Sequence, residues 1–157
     1  LLNNGEVYKD QCLDFPIAKE FASSKLLVVC TEGDQKIVAV CGIRSLFNVL
    51  NLYVREGYRG QGIGTQLLMK TIKAAEKRRL SFITLTVHAD NIIAFQLYYK
   101  FGFKEVLFLR KSHQVLMILP LTFTGELAYA FFCMLRFILP NTFLSYIHSL
   151  LYRKTLA

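Results

Sequence analysis

A chain of 157 residues, 54% apolar, is the size of one domain burying about two thirds of its unfolded surface, so no second domain is required. The net charge of +8 suits an anionic ligand, a nucleic acid or an anionic membrane, but no basic stripe interleaved with aromatics appears, which argues against nucleic acid. Cys12, Cys30, Cys41 and Cys133 form no CxxC pair and no metal spacing with histidine, so they read as reduced core thiols of a cytoplasmic protein without a metal.

Leu1 suggests that the natural start is missing or altered, so the absence of a signal peptide carries little weight. Asp14 to Ala22 reads as a short helix punctuated by Pro16. Lys25 to Thr31 and Lys36 to Arg44 read as strands about a Glu32-Gly33-Asp34-Gln35 turn, and Phe47 to Val54 as the next strand. Then come helix Thr65 to Arg79, strand Ser81 to His88, helix Asn91 to Phe101, strand Phe103 to Arg110, a Lys111-Ser112-His113 turn and strand Gln114 to Leu119. Hairpins first and crossovers later imply an α/β (α+β) fold, a mixed, mostly antiparallel sheet flanked by helices. Lys73, Lys77, Arg78 and Arg79 end the first long helix, where its dipole favours cations, and read as a solvated face.

The join from Val54 to Thr65 carries the first chemistry. Gly60, Gly62 and Gly64 allow positive φ and a close approach of main chain to ligand, while the first N–H groups of the following helix lack acceptors. Such a turn holds anions. A Walker loop is excluded because no Lys-Ser or Lys-Thr follows a glycine. A dinucleotide fingerprint is disfavoured because the glycines run GxGxG and Leu80 to Thr86 has no acid. By itself a glycine-rich turn is more often only a turn.

Two blocks in order are more specific than one. Arg59-x-x-Gly62-x-Gly64, between strand and helix, is similar to the pyrophosphate loop of the GNAT superfamily of N-acetyltransferases. Asn91, Ala94, Leu97, Tyr98, Lys100, Gly102 and Phe103 resemble that superfamily's other conserved block, with one helix and one strand between the two. The resemblance covers Lys25 to Leu121 and implies a GNAT acyl-CoA N-acyltransferase domain over residues 1–121 that uses acetyl-CoA as co-substrate. Little chain precedes Lys25 for the family's opening elements, so the acceptor-side wall is expected to be short. Implied cofactor contacts are the main chain of Leu52, Tyr53 and Val54 along the pantetheine arm, Arg59, Gly60, Gln61, Gly62, Ile63, Gly64 and Thr65 at the diphosphate, and Asn91 at the pantetheine end.

The resemblance also places Tyr98 as the acid that returns a proton to the departing thiolate. A buried aromatic on an apolar helix is the plain reading of the same residue, and Tyr99 is its rival. A protonated amine, with a pKa of about 10.4 for a lysine-type group, must first lose a proton. Relatives that acetylate protein amino termini often carry a glutamate where Thr86 stands here. His88, on the same strand face, offers the side chain that changes charge between pH 5 and 8. A lone strand-end histidine is more often structural, so Glu56 and a water relay stay open. The acceptor, whether a protein amino terminus, an amino sugar or a small amine, is not selected by any residue.

The tail, residues 122–157, is a helical extension. Leu127 to Leu139 carries Arg136 as its only charge, Pro140 interrupts, and Phe143, Leu144, Tyr146, Ile147, Leu150 and Leu151 follow. Neither piece reaches the roughly 20 residues that cross a bilayer. The sheet, a second subunit in a homodimer, and a membrane contacted peripherally are three covers for it. Two functions stand: an acetyltransferase acting by direct attack in a ternary complex, and a non-catalytic acyl-CoA sensor or interaction module.

Overall fold

The computed structural model describes residues 24–32, 36–44 and 48–138, which fall into two compact units that meet in sequence between Arg79 and Leu80. The expected helix at Asp14 to Ala22, the centre of the Glu32 to Gln35 turn, Cys12, and everything beyond Ile138 lie outside the described residues.

In the first unit β1 (Ser24–Glu32), β2 (Lys36–Arg44) and β3 (Leu50–Val54) form an antiparallel sheet in that order. β2 is central, and Val38, Ala39, Val40, Cys41 and Ile43 are all buried, which is why its sequence is almost continuously apolar instead of alternating. β3 begins later than the apolar run suggests. Asn48 sits at φ +51, a left-handed conformation that no strand carries, and Arg44 N–H bonds the Val49 carbonyl at 2.9 Å to close the turn. Helix α1 (Ile63–Lys77) lies on all three strands through Leu67, Leu68, Thr71 and Ala75. The expected inward residue Ile72 is only half-buried, and fully buried Thr71 takes its place one position earlier. Lys73, Lys77, Arg78 and Arg79 are exposed.

In the second unit β4 (Phe82–His88), β5 (Lys104–Leu109) and β6 (Gln114–Pro120) form a second antiparallel sheet in the order β4-β6-β5. β6 is central and buries Val115, Met117, Ile118 and Leu119. Helix α2 (Ile92–Lys100) connects β4 to β5, and helix α3 (Phe123–Ile138) follows β6. α3 starts at Phe123, near the head of the helical extension expected over 122–157, where the Thr122 hydroxyl accepts from Gly125 N–H at 3.3 Å and so caps it. Its Tyr129 and Phe132 pack on Val106, Leu107, Leu109 and Ile118. Among the described residues no helix is long and apolar enough to cross a membrane.

Candidate functional site

The loop belongs to the first unit. After β3 the chain turns through a single 3-10 turn, Glu56 to Tyr58, and reaches Gly60 at φ +77 and Gly62 at φ +76. A side chain at either glycine would be strained by the backbone and by nothing else, since a Cβ built there meets no atom within 4 Å. The space over the loop is open. Gly64 differs from the expectation of three positive φ values: it lies inside the first turn of α1, with Val54 Cγ2 3.5 Å and Leu52 Cδ2 3.8 Å from where its Cβ would be. Both are ordinary van der Waals distances, so the helix packs on the strand there without excluding a Cβ.

The helix begins at Ile63, two residues earlier than the sequence pattern suggested, and its first bond runs from Gln66 N–H to the Gly62 carbonyl at 3.1 Å. The N–H groups of Ile63, Gly64 and Thr65 precede that bond, and Gly62 as N-cap offers no side chain to satisfy them. They point outward at the positive end of the dipole. Arg59 Nε donates to the Val54 carbonyl at 3.1 Å and Gln61 Nε2 to the Gly57 carbonyl at 3.3 Å, so both side chains brace the loop from which those donors emerge. Arg55 Nε bonds the Ile37 carbonyl at 2.8 Å, fixing a second guanidinium at the end of β3. Glu56 is exposed in the 3-10 turn. Leu52, Tyr53 and Val54 are half-buried on β3, an edge strand of its sheet, where every second residue turns its main-chain groups away from β2.

The second block belongs to the second unit. Asn91 caps α2, its Oδ1 accepting from Ala94 N–H at 3.1 Å, which leaves the side-chain amide as its donor. Tyr98 is buried, its ring centroid 5.5 Å from that of Phe103, and its carbonyl receives the N–H groups of Phe101 and Phe103 as the helix closes on Gly102 at φ +85. Tyr99 is half exposed and donates its hydroxyl hydrogen to Glu105. That carboxylate, with smaller contributions from desolvation and charge, pushes the phenol up to about 12. His88 is exposed at the end of β4, with its Nε2 3.3 Å from Nε2 of its cross-strand partner Gln114. Thr86 is half-buried on the same strand face, and His113 lies 3.4 Å from Asp90 on the neighbouring turn.

Two partners were missed in the sequence. Glu105 follows Tyr99 across the Gly102 turn, and Gln114 is found only by β4–β6 register. The Lys111 to His113 turn joins β5 to β6 and sets Gln114 opposite Leu109, so no local signal pairs Gln114 with His88.

A glycine-bent loop that opens a helix whose first N–H groups lack intrahelical acceptors, in an α/β chain, is an arrangement suited to an anion. The family profile of the Acetyltransferase (GNAT) family matches residues 4–103, and the chain belongs to that family. It is 28% identical over 102 residues to a spermidine N(1)-acetyltransferase of Thermoplasma acidophilum, covering 63% of each chain. It is 44% identical over 64 residues to an N-alpha-acetyltransferase of Sulfurisphaera tokodaii, covering 40% of this chain and 38% of that one. The chain thus spans less than two thirds of the length of these relatives. Among solved structures it resembles the ribosomal-protein-S18-alanine N-acetyltransferase of Escherichia coli, at 25% identity and TM-score 0.56 over 69% of this chain and 76% of that one. A GNAT family acetyltransferase of Elizabethkingia anophelis with acetyl-CoA bound shares the fold at TM-score 0.55 and 18% identity, over 66% and 81% of the two chains.

Proposed function

We propose that this chain transfers acetyl from acetyl-CoA to a primary amine. The observation that carries the reading is the open loop at Gly60 and Gly62, which presents the N–H groups of Ile63, Gly64 and Thr65 beside Arg59. A diphosphate suits that donor set, and nothing lies within 4 Å of a Cβ built at either glycine to obstruct it. Leu52, Tyr53 and Val54 would hold the pantetheine arm with main chain, and the Asn91 amide would bind its far end.

The amine lone pair attacks the thioester carbonyl, the C–N bond forms, the C–S bond breaks, and the thiolate takes a proton from Tyr98. His88 is the base in this scheme. With Gln114 donating to His88 Nε2, the ring hydrogen sits on Nδ1 and neither nitrogen accepts; turning the Gln114 amide by 180° keeps the hydrogen on Nε2 and opens Nδ1 for the amine's proton. The relatives' names set the acceptor panel: spermidine and a peptide with an amino-terminal alanine, with an amino sugar added for contrast.

Titration calorimetry with acetyl-CoA followed by a free-thiol assay over that panel tests the reading. Binding together with acceptor-dependent thiol release is expected. Binding without release from any acceptor would turn the chain into an acyl-CoA sensor, and no binding would remove the loop assignment.

A further inference from the structure

The turn that delivers Asn91 is held from the neighbouring hairpin of the same unit. β4 ends at His88, after which Asn91 N–H bonds the His88 carbonyl at 2.9 Å and Ile92 N–H bonds the Asp90 carbonyl at 3.0 Å, a tight bend into α2. Two further contacts cross from this bend to His113 in the β5–β6 turn. The His113 carbonyl accepts from Ala89 N–H at 3.0 Å, one step beyond the last β4–β6 pair, His88 with Gln114. Its ring Nε2 lies 3.4 Å from Asp90 Oδ1, and since an ionised carboxylate only accepts, the ring donates.

His113 is itself constrained. Its φ of +52 is left-handed backbone, which histidine adopts more often than most residues but which persists only where the surroundings hold it. Ser112 N–H bonds the Leu109 carbonyl at 3.2 Å within the same turn, and the Phe108 and His113 rings meet edge to face, their centroids 5.5 Å apart and their planes at 83°. Backbone and imidazole are thus both fixed. The side chains of His113 and Asp90 are 58% and 85% exposed, so their contact adds little to stability. Its effect is on orientation. Asn91 Oδ1 is occupied by Ala94 N–H, and the direction of the remaining amide donor is set by the bend that His113 holds.

We propose that His113 is a positioning residue for acetyl-CoA: through the Ala89 N–H and the Asp90 carboxylate it fixes the bend from which the Asn91 amide donates to the pantetheine end. This rests on the acetyltransferase reading above, in which Asn91 meets the cofactor. A hydrogen bond weakens steeply as its angle departs from linear, so a bend free to rock costs affinity without any contact between His113 and the ligand.

Titration calorimetry with acetyl-CoA on the full chain tests this through a double-mutant cycle. Asn91→Ser keeps a capping oxygen, removes the amide donor, and is expected to weaken binding by up to about tenfold, the scale of one neutral hydrogen bond. His113→Gly keeps the left-handed backbone and the carbonyl and removes the ring. It is expected to weaken binding about threefold in the parent chain and by less than about 1.5-fold in the Asn91→Ser background. Asp90→Ala should match His113→Gly, and Asp90→Asn, which retains an oxygen for Nε2–H, should bind like the parent. In the thiol assay the KM for acetyl-CoA should rise in His113→Gly with kcat within about twofold. Parent affinity in His113→Gly or in Asp90→Ala overturns the proposal. An equal loss in both backgrounds overturns it as well, because it marks a general loosening of the unit. Undiminished binding by Asn91→Ser overturns the donor role of Asn91 and the positioning with it, whereas a parent chain that does not bind acetyl-CoA overturns the acetyltransferase reading itself.

Discussion

The Tyr99 hydroxyl is bound to the Glu105 carboxylate at the surface of α2, whereas the ring of its neighbour Tyr98 is buried against Phe103. Adjacent positions on a helix point about 100° apart, so two tyrosines that are equivalent in sequence have different chemistry. A phenol already giving its hydrogen to a carboxylate, with its acidity suppressed, is poorly suited to return a proton to a thiolate.

Replacing each tyrosine by phenylalanine separates the two. Tyr98→Phe is expected to lower turnover by at least about tenfold with acetyl-CoA affinity retained, the scale of lost general acid catalysis. Tyr99→Phe is expected to leave turnover within about twofold. Steady-state thiol release and calorimetry on both variants check this, and the reverse pattern would reassign the acid.

The Tyr99–Glu105 bond also predicts a pH effect. Because the phenol is raised to about 12 in the folded chain, it keeps its proton between about pH 10 and 12 where an unfolded tyrosine loses it, so the stability due to this bond is complete below pH 10 and disappears as pH rises through that window. Absorbance at the tyrosinate band should show Tyr99 among the late-titrating phenols of the native protein, beside Tyr129, whose phenol is also raised by its hydrogen bond with Cys133. Glu105→Gln should return Tyr99 to the ordinary range; an unchanged curve would show that the bond does not persist in solution.

The glycines of the loop separate by conformation. Gly62→Ala forces a Cβ onto left-handed backbone and is expected to destabilise the fold by about 1 kcal/mol. Gly62→Asp is gentler on the backbone, because aspartate tolerates that region, yet it sets a carboxylate at the donors meant for a diphosphate and should abolish acetyl-CoA binding. Gly64→Ala places its Cβ in ordinary contact with Leu52 and Val54 and should fold and bind normally. Denaturant melts and calorimetry on the three variants distinguish a role in ligand binding from a role in turn formation; retained affinity in Gly62→Asp would place the diphosphate elsewhere.

Much of this arrangement was legible in the sequence, and the exceptions share a cause. Strand and helix order follows from hydrophobic period, and the Asn91 cap follows from residue type. Two features depend on contacts distant in sequence: Thr71 buried in place of Ile72 beside the Cys41 thiol, which burial pushes up to about 12, and Gln114 reaching His88 across β4 and β6. Local pattern does not encode register. The late start of β3 has a different origin, since it turns on the left-handed backbone of Asn48, which an apolar run cannot reveal.

Gly125 is the sharpest of the positions that local pattern hides. By helix propensity alone it is a weakening glycine in the first turn of α3, worth about 1 kcal/mol against alanine. In the fold it lets α3 approach the start of β4: a Cβ there would overlap the Ser81 carbonyl oxygen and lie 3.2 Å from Pro120 Cα, both main-chain atoms that cannot move aside without shifting β4 or β6. The local and tertiary arguments therefore predict opposite signs for Gly125→Ala. By propensity it should stabilise; by packing it should destabilise by about 2 kcal/mol or more, the scale of an overfilled core, and loosen the cap at Thr122. Packing is expected to prevail, because the obstruction is backbone on both sides. Denaturant unfolding measures the sign directly, and hydrogen exchange should show the loss concentrated in α3. A stabilised Gly125→Ala variant would mean that α3 stands further from Ser81 in solution than in this fold.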